Sequence, residues 1–251
     1  MVTFEIITVF PAMFASPLNE SILKRAREKG LLNTVIHNLR DYTQDKHQVT
    51  DDAPYGGGAG MIMKVEPLVA AIERIRTTSS RTLLLSPQGK RFDQEDAKRF
   101  AHLQHILLVC GHYEGLDERI KCFVDEEISI GDYILTGGEI AALVIVDAVT
   151  RLIPGVLGDS TSAWDETFND SLLEYPQYTR PRIFRELEVP EVLLSGNHKE
   201  IGTWRRQESL KKTLQRRPDL LERTPLSIEE RTMLKKLMEN YTESGGRSWN
   251  S

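Results

Sequence analysis

The stretch "EEISIGDYILTGGEIAALVIVDAVTRLI" (residues 126–153) decides how the rest of the chain is read. It joins a short apolar run to a long one through a turn that contains Gly131, Gly137 and Gly138. The first run, 126–132, has strand character. The second, 138–153, is apolar almost all round, as in a helix buried on most sides. Glycines between a strand and a helix let a backbone come close to a ligand or to another part of the chain.

The same pattern recurs along the N-terminal part. "VTFEIITVF" (2–10), "NTVIHNL" (33–39), "RTLLLSP" (81–87) and "HILLVCG" (105–111) read as strands. Residues 16–32, 65–76, 93–103 and 115–124 read as helices between them. Continuous apolar strands alternating with amphipathic helices predict an α/β domain, its mostly parallel sheet covered on both faces. In such folds ligands bind beyond the carboxyl ends of the strands. Three turns fall there: "SPQGK" (86–90), "CGHYEG" (110–115) and "GDYILTGG" (131–138).

Residues 153–181 show little periodicity and carry Gly, Pro, Ser, Thr and Asp, so they read as a linker. Two helices are expected beyond it, 197–221 and 227–241, with Ser227 and Glu230 as a capping box for the second. The chain of 251 residues, 40% hydrophobic and 27% charged, has the composition of a globular protein. The opening "MVTFEIITVFPAMF" begins like a strand and lacks a basic region before an apolar one, so no signal peptide is expected. Cys110 and Cys122, the two cysteines, lack metal-ligand spacing, which predicts reduced thiols in a cytoplasmic protein and no metal site.

The net charge of −5 argues against a polyanionic partner, but the charge is uneven. Residues 197–224 hold eight Lys/Arg against four acids, so that segment is +4 and the remainder −9. A nucleic-acid surface and a solvated helix face both fit such a run. The Gly run "YGGGAGM" (55–61) fails both phosphate-loop and dinucleotide spacings. It reads as a loop that lets a substrate approach its backbone.

Several segments resemble one family. They are "DDAPYGGGAGM" (51–61), "LSPQGKRFDQ" (85–94), "LVCGHYEGLDER" (108–119), "EEISIGDYILTGGE" (126–139), "RLIPGVLG" (151–158), "YPQYTRP" (175–181), "VLLSGNH" (192–198) and "RRPDLL" (216–221). In this order they resemble the bacterial tRNA (guanine-N1)-methyltransferases, from residue 2 to about 222. The resemblance implies a SPOUT-type domain with a deep trefoil knot (1–158), a linker carrying the catalytic acid (159–180) and a helical tRNA-binding domain (181–251). It implies S-adenosyl-L-methionine as methyl donor and the guanosine 3′ of the anticodon as target. It also implies a homodimer with the active site between protomers, and magnesium without an assignable protein site.

By the same resemblance the donor lies among Leu84, Leu85, Ser86, Pro87, Gly111, Tyr113, Glu114, Gly115, Ser129, Ile130, Gly131, Asp132, Tyr133, Ile134, Leu135, Gly137 and Gly138. The family's linker aspartate falls at Glu166 in "WDETF", next to Asp165, and either acid can be the base. Arg151 matches the arginine near the guanine. Ala59 and Ala141 stand where the family commonly has proline, and Gln177 where it commonly has histidine. Asp51, Tyr55, Gly56, Gly57, Gly58 and Gly60 would guide the anticodon loop. Trp204, Arg205, Arg206, Lys211, Lys212, Arg216 and Arg217 would meet tRNA, with Trp204 serving either the core or a stacked base.

Overall fold

The apolar runs become a five-stranded sheet in a computed structural model that describes residues 1–157, 172–222 and 224–243. In chain order the N-terminal elements are β1 (Val2–Thr8), α1 (Ser21–Glu28), β2 (Leu32–Asn38), β3 (Asp51–Asp52), β4 (Ile62–Met63), α2 (Val65–Ile75), β5 (Ser80–Arg91), α3 (Gln94–Ala101), β6 (His105–Cys110), β7 (Glu126–Ser129) and α4 (Glu139–Thr150). The sheet order is β2-β1-β6-β5-β7 and every pairing in it is parallel. β3 and β4 form a separate antiparallel pair within the polar segment 40–63.

Strand alternation divides the core between the two faces. Phe4, Ile6, Leu83, Leu85, Ile106, Leu108 and Ile128 pack on one side with Leu23 and Ala26 of α1, Phe100 of α3, and Ala142, Ile145 and Val149 of α4. Ile7, Val9, Leu84, Leu107 and Val109 pack on the other with Leu68, Ala71 and Ile72 of α2 and with Ile120. Both faces are covered, which is why β6 has no polar residue after His105. α4 is apolar on its outer side as well: Ile140 and Val144 are 46% and 43% exposed.

β5 is longer than its apolar run. Leu83, Leu84 and Leu85 pair with Glu126, Glu127 and Ile128, then the register shifts and Lys90 and Arg91 pair with Ile128 and Ser129. Residues 86–89 are the excess that makes this bulge. Gly89 is required at its crest, because a Cβ there would lie 2.4 Å from the Glu127 carbonyl carbon and from Ile128 N. Asp93 caps α3, its side chain accepting a hydrogen bond from Asp96 N at 3.0 Å. The expected helix over 115–124 is instead a 3-10 turn, Glu118–Phe123.

By internal contacts the chain divides into Met1–Ser160 and Thr161–Ser251. The second unit has a hairpin of β8 (Ile183–Phe184) and β9 (Leu187–Glu188), then α5 (His198–Arg216), α6 (Pro218–Leu221) and α7 (Ile228–Glu243). Leu210 and Leu214 are its buried apolar residues on α5. Ser227 and Glu230 exchange hydrogen bonds before α7, Ser227 N donating to Glu230 Oε2 at 2.7 Å and Glu230 N to Ser227 Oγ at 3.2 Å. Among the described residues no helix is long and apolar enough to cross a membrane.

Candidate active site

The carboxyl ends of the neighbouring strands β6, β5 and β7 open into a cavity of about 370 Å³. That size is within the ordinary range for a small-molecule site. Its wall is built from the bulge within β5 (86–89) and the turns that follow β6 and β7. Every residue named above for the methyl donor lines it except Asp132.

Close backbone contact holds the turns together. Gly138 N donates to Gly111 O at 2.8 Å, and His112 pairs with Gly137 as an isolated antiparallel bridge. A Cβ on Gly138 would lie 2.8 Å from Cys110 Cα, and one on Gly137 would lie 2.3 Å from His112 Nδ1. Side chains at these positions are excluded by main chain and by a packed ring. Gly115 and Gly131 have φ of 144° and 149°, which favours glycine. Tyr113 holds φ 61° without being glycine, a strained conformation of the kind that clusters at functional sites.

Behind this wall Glu139 is buried in the first turn of α4, where the helix dipole favours its charge. Thr8 Oγ1 donates to Glu139 Oε1 at 2.8 Å, and His112 Nδ1 is 3.7 Å from Glu139 Oε2. Burial, and secondarily the Glu139 charge, pushes the Cys110 thiol well above its ordinary range.

The Gly-rich loop adjoins the same wall. Glu114 N donates to Met61 O at 3.1 Å, and Met63 N to Gly115 O at 2.9 Å. Asp51 lies in β3, Tyr55 is fully exposed, and Gly56, Gly57, Gly58 and Gly60 all have positive φ. A Cβ on Gly56 or Gly57 would meet open space.

The cavity also has walls that the sequence did not single out. Gln88, His112, Leu116, Lys121 and Glu127 line it. All of these except Lys121 lie inside quoted motifs, so adjacency is their available signal. Lys121 and Glu127 approach because the 3-10 turn and β7 face each other, Lys121 Nζ being 3.5 Å from Glu127 Oε2. Arg151 is half-buried at the C-cap of α4, its N–H donating to Asp147 O at 3.2 Å, and does not line the cavity. Glu166 and Asp165 lie outside the described residues.

In the second unit the basic run is already engaged within its own fold. Arg206 Nε pairs with Glu230 Oε1 at 2.5 Å, and Arg217 with Asp219 at 2.7 Å. Lys212 Nζ donates to Glu174 O at 3.0 Å, and Lys211 is 3.6 Å from Glu208. Arg205 lies over the Tyr175 ring at 4.7 Å, and Trp204 is half-buried with its ring 6.4 Å from that of Tyr178. Arg216 is exposed at the end of α5.

The family model described as "tRNA (Guanine-1)-methyltransferase TrmD" matches residues 2–223. The chain belongs to that family. Relatives named tRNA (guanine-N(1)-)-methyltransferase are close along their whole length. The protein of Carboxydothermus hydrogenoformans is 60% identical over 231 residues, covering 92% of this chain and 91% of its own. That of Geotalea uraniireducens is 57% identical, covering 93% and 96%. That of Dictyoglomus turgidum is 52% identical, covering 97% and 99%. Family membership makes the chain a methyltransferase, and the cavity described above is its candidate site.

Proposed function

We propose that this enzyme transfers a methyl group from S-adenosyl-L-methionine to N1 of the tRNA guanosine immediately 3′ of the anticodon. The observation that carries the reading is the cavity at the ends of β5, β6 and β7, closed by glycine-rich turns. Its chemistry fits the donor. Ile130, Ile134 and Leu135 offer apolar surface for a flat ring, while bare backbone beside Gly111, Gly131, Gly137 and Gly138 offers hydrogen-bonding groups at close range. Of the acids in the same wall, Asp117 pairs with Arg119, and Glu118 and Glu127 with Lys121, which leaves Glu114 as the one suited to a positively charged ligand.

When bound, S-adenosylmethionine supplies an electrophilic methyl group on a sulfonium. The residues of the chain do the rest. Guanine N1 carries a proton at neutral pH and is not nucleophilic until that proton leaves. A linker carboxylate, Glu166 or the neighbouring Asp165, accepts it. An unperturbed carboxylate near pKa ~4 is a weak base, and removal from water strengthens such a base. Arg151 stabilises the negative charge that moves onto O6. Glu114, in the cavity wall, would face the donor's positive charge or the substrate.

Two further features belong to this reading. The close backbone contact between the turns after β6 and β7 supports a SPOUT-type trefoil knot. The exposed apolar side of α4, with Ile140 and Val144, is the face a second copy covers, which makes the enzyme a homodimer with its active site between protomers. The tRNA anticodon stem-loop engages the Gly-rich loop and the second unit. The enzyme acts in the cytoplasm. Among the described residues no group of three His, Cys, Asp or Glu side chains is placed to hold a metal ion.

The test is methyl transfer from labelled S-adenosylmethionine to a tRNA transcript with guanosine 3′ of the anticodon, mapped by nuclease digestion and mass spectrometry. Methyl on N1 of that base is expected. Equal methylation of a transcript with adenosine there overturns the assigned target, and donor binding without transfer overturns the activity.

A further inference from the structure

We propose that Gly60 is a positioning residue for Glu114: the missing side chain at 60 is the seat of the Glu114 side chain at the cavity mouth. This rests on the reading of the cavity as the methyl-donor site.

The run 56–60 does not need its glycines for one common reason. A Cβ on Gly56 or Gly57 would meet nothing within 4 Å, so backbone conformation alone explains those two. Gly60 differs. A Cβ there would lie 2.1 Å from Glu114 Cγ, 2.7 Å from Oε1 and 2.8 Å from Cδ. Cγ, Cδ and Oε1 of Glu114 occupy the space an alanine methyl would take.

Neither backbone is free to retreat. Residues 61–63 run beside 114–117 in a small ladder: Glu114 N donates to Met61 O, Met63 N to Gly115 O, and Asp117 N to Met63 O at 3.0 Å. Met63 is fully buried, so it anchors the ladder in the core. The clash cannot be relieved by lifting the loop without breaking these bonds. Because Cγ itself is involved, Glu114 would have to turn about its first side-chain bond. Among the described residues its carboxylate has no hydrogen-bond or ion-pair partner that would hold it otherwise. A side chain at 60 would therefore displace this charge relative to the cavity.

The test compares wild type, G60A, E114A and the double variant G60A/E114A, with G30A as control. Gly30 has φ +66°, close to the +84° of Gly60, and its Cβ would meet open space, so G30A carries the backbone strain without the clash. Methyl transfer and thermal unfolding are both measured. We expect G60A to lower kcat by about tenfold or more, a barrier increase of about 1.4 kcal/mol. G30A should keep kcat within about twofold of wild type. In the E114A background the same G60A change should lower kcat no further, because the atoms it displaces are gone. The fall in Tm caused by G60A should likewise shrink by about 2 °C or more in that background.

A G60A kcat equal to wild type, or a G60A effect undiminished on top of E114A in both rate and Tm, overturns the proposal. The melting cycle reads the Gly60–Glu114 contact in the absence of any activity. A wild-type protein that transfers no methyl therefore refutes the functional reading, while the Tm coupling still decides this one.

Discussion

Gly138→Ala isolates packing from backbone strain at the cavity wall. Gly138 has φ −78° and ψ −7°, a conformation alanine adopts freely, so the cost is purely steric. The new methyl would stand 2.8 Å from Cys110 Cα, 3.1 Å from Gly111 N and 3.2 Å from Cys110 Cβ. Relaxed carbon contacts lie at about 3.5–4.0 Å, so the turn must open by roughly 0.7 Å or more. That motion stretches the 2.8 Å bond from Gly138 N to Gly111 O. Overpacking of this kind costs about 1–3 kcal/mol. For a domain of this size, at about 2–4 °C per kcal/mol, Tm falls by about 2–12 °C. Thermal unfolding and calorimetric titration with S-adenosylhomocysteine measure the two effects, and ligand affinity should fall with Tm. Cys110→Ala should not rescue the variant, since it removes only Sγ and leaves both contacting carbons. Wild-type Tm and affinity in G138A, or rescue by C110A, would refute the reasoning.

Three other outcomes follow from the structure. One thiol, Cys122, should react with a thiol reagent in the native protein and two after denaturation, because Cys110 is buried and its thiol pKa is raised; native labelling of Cys110 would contradict this. For Asp96, burial favours the neutral acid, but hydrogen bonds from Lys90 Nζ at 2.8 and 2.9 Å and Arg99 Nη2 at 3.0 Å outweigh it and hold the carboxyl below its ordinary value. Its stabilisation is therefore complete above about pH 4 and lost as the pH falls through the lowered value; D96N should cost about 1.5–3 kcal/mol at pH 7 in denaturant titrations and progressively less below pH ~4, and a gap that stays constant with pH would be inconsistent. Glu166→Ala should abolish turnover with donor affinity within a few-fold, and Arg151→Ala should lower kcat more than it raises KM; an inactive D165A beside an active E166A would move the base to Asp165.

The parts of the fold legible in the sequence were those where one physical signal dominates. β6 is a continuous apolar run because it is buried on both sides, α4 is apolar on its exposed side as well as its buried one, and the turns after β6 and β7 carry glycines that close packing demands. β5 was shortened in the reading because Pro87 and Gly89 look like a stop, whereas here they mark a bulge after which pairing resumes at Lys90. The hairpin of β8 and β9 gave no signal, since its turn residues Arg185 and Glu186 take φ of 49° and 67° without glycine or asparagine. The basic run on α5 was countable, but its partners were not. Glu230 lies 24 residues beyond Arg206, and local spacing gives no hint that they meet. Lys121 gives no signal because a 3-10 turn offers no 3.6-residue face to read, and Glu127 because it stands on β7, ahead of the glycine turn that the sequence marks.

The place of β1 in the sheet has a consequence for synthesis. Its neighbours are β2, which follows at once, and β6, whose His105 meets Glu5 across 100 residues of sequence. At roughly 5–20 residues per second, the ribosome leaves the β6 edge of β1 without its partner for about 5–20 s. For that time the first strand made is an open template for any other extended chain, and fidelity in the cell depends on what shields it until translation catches up.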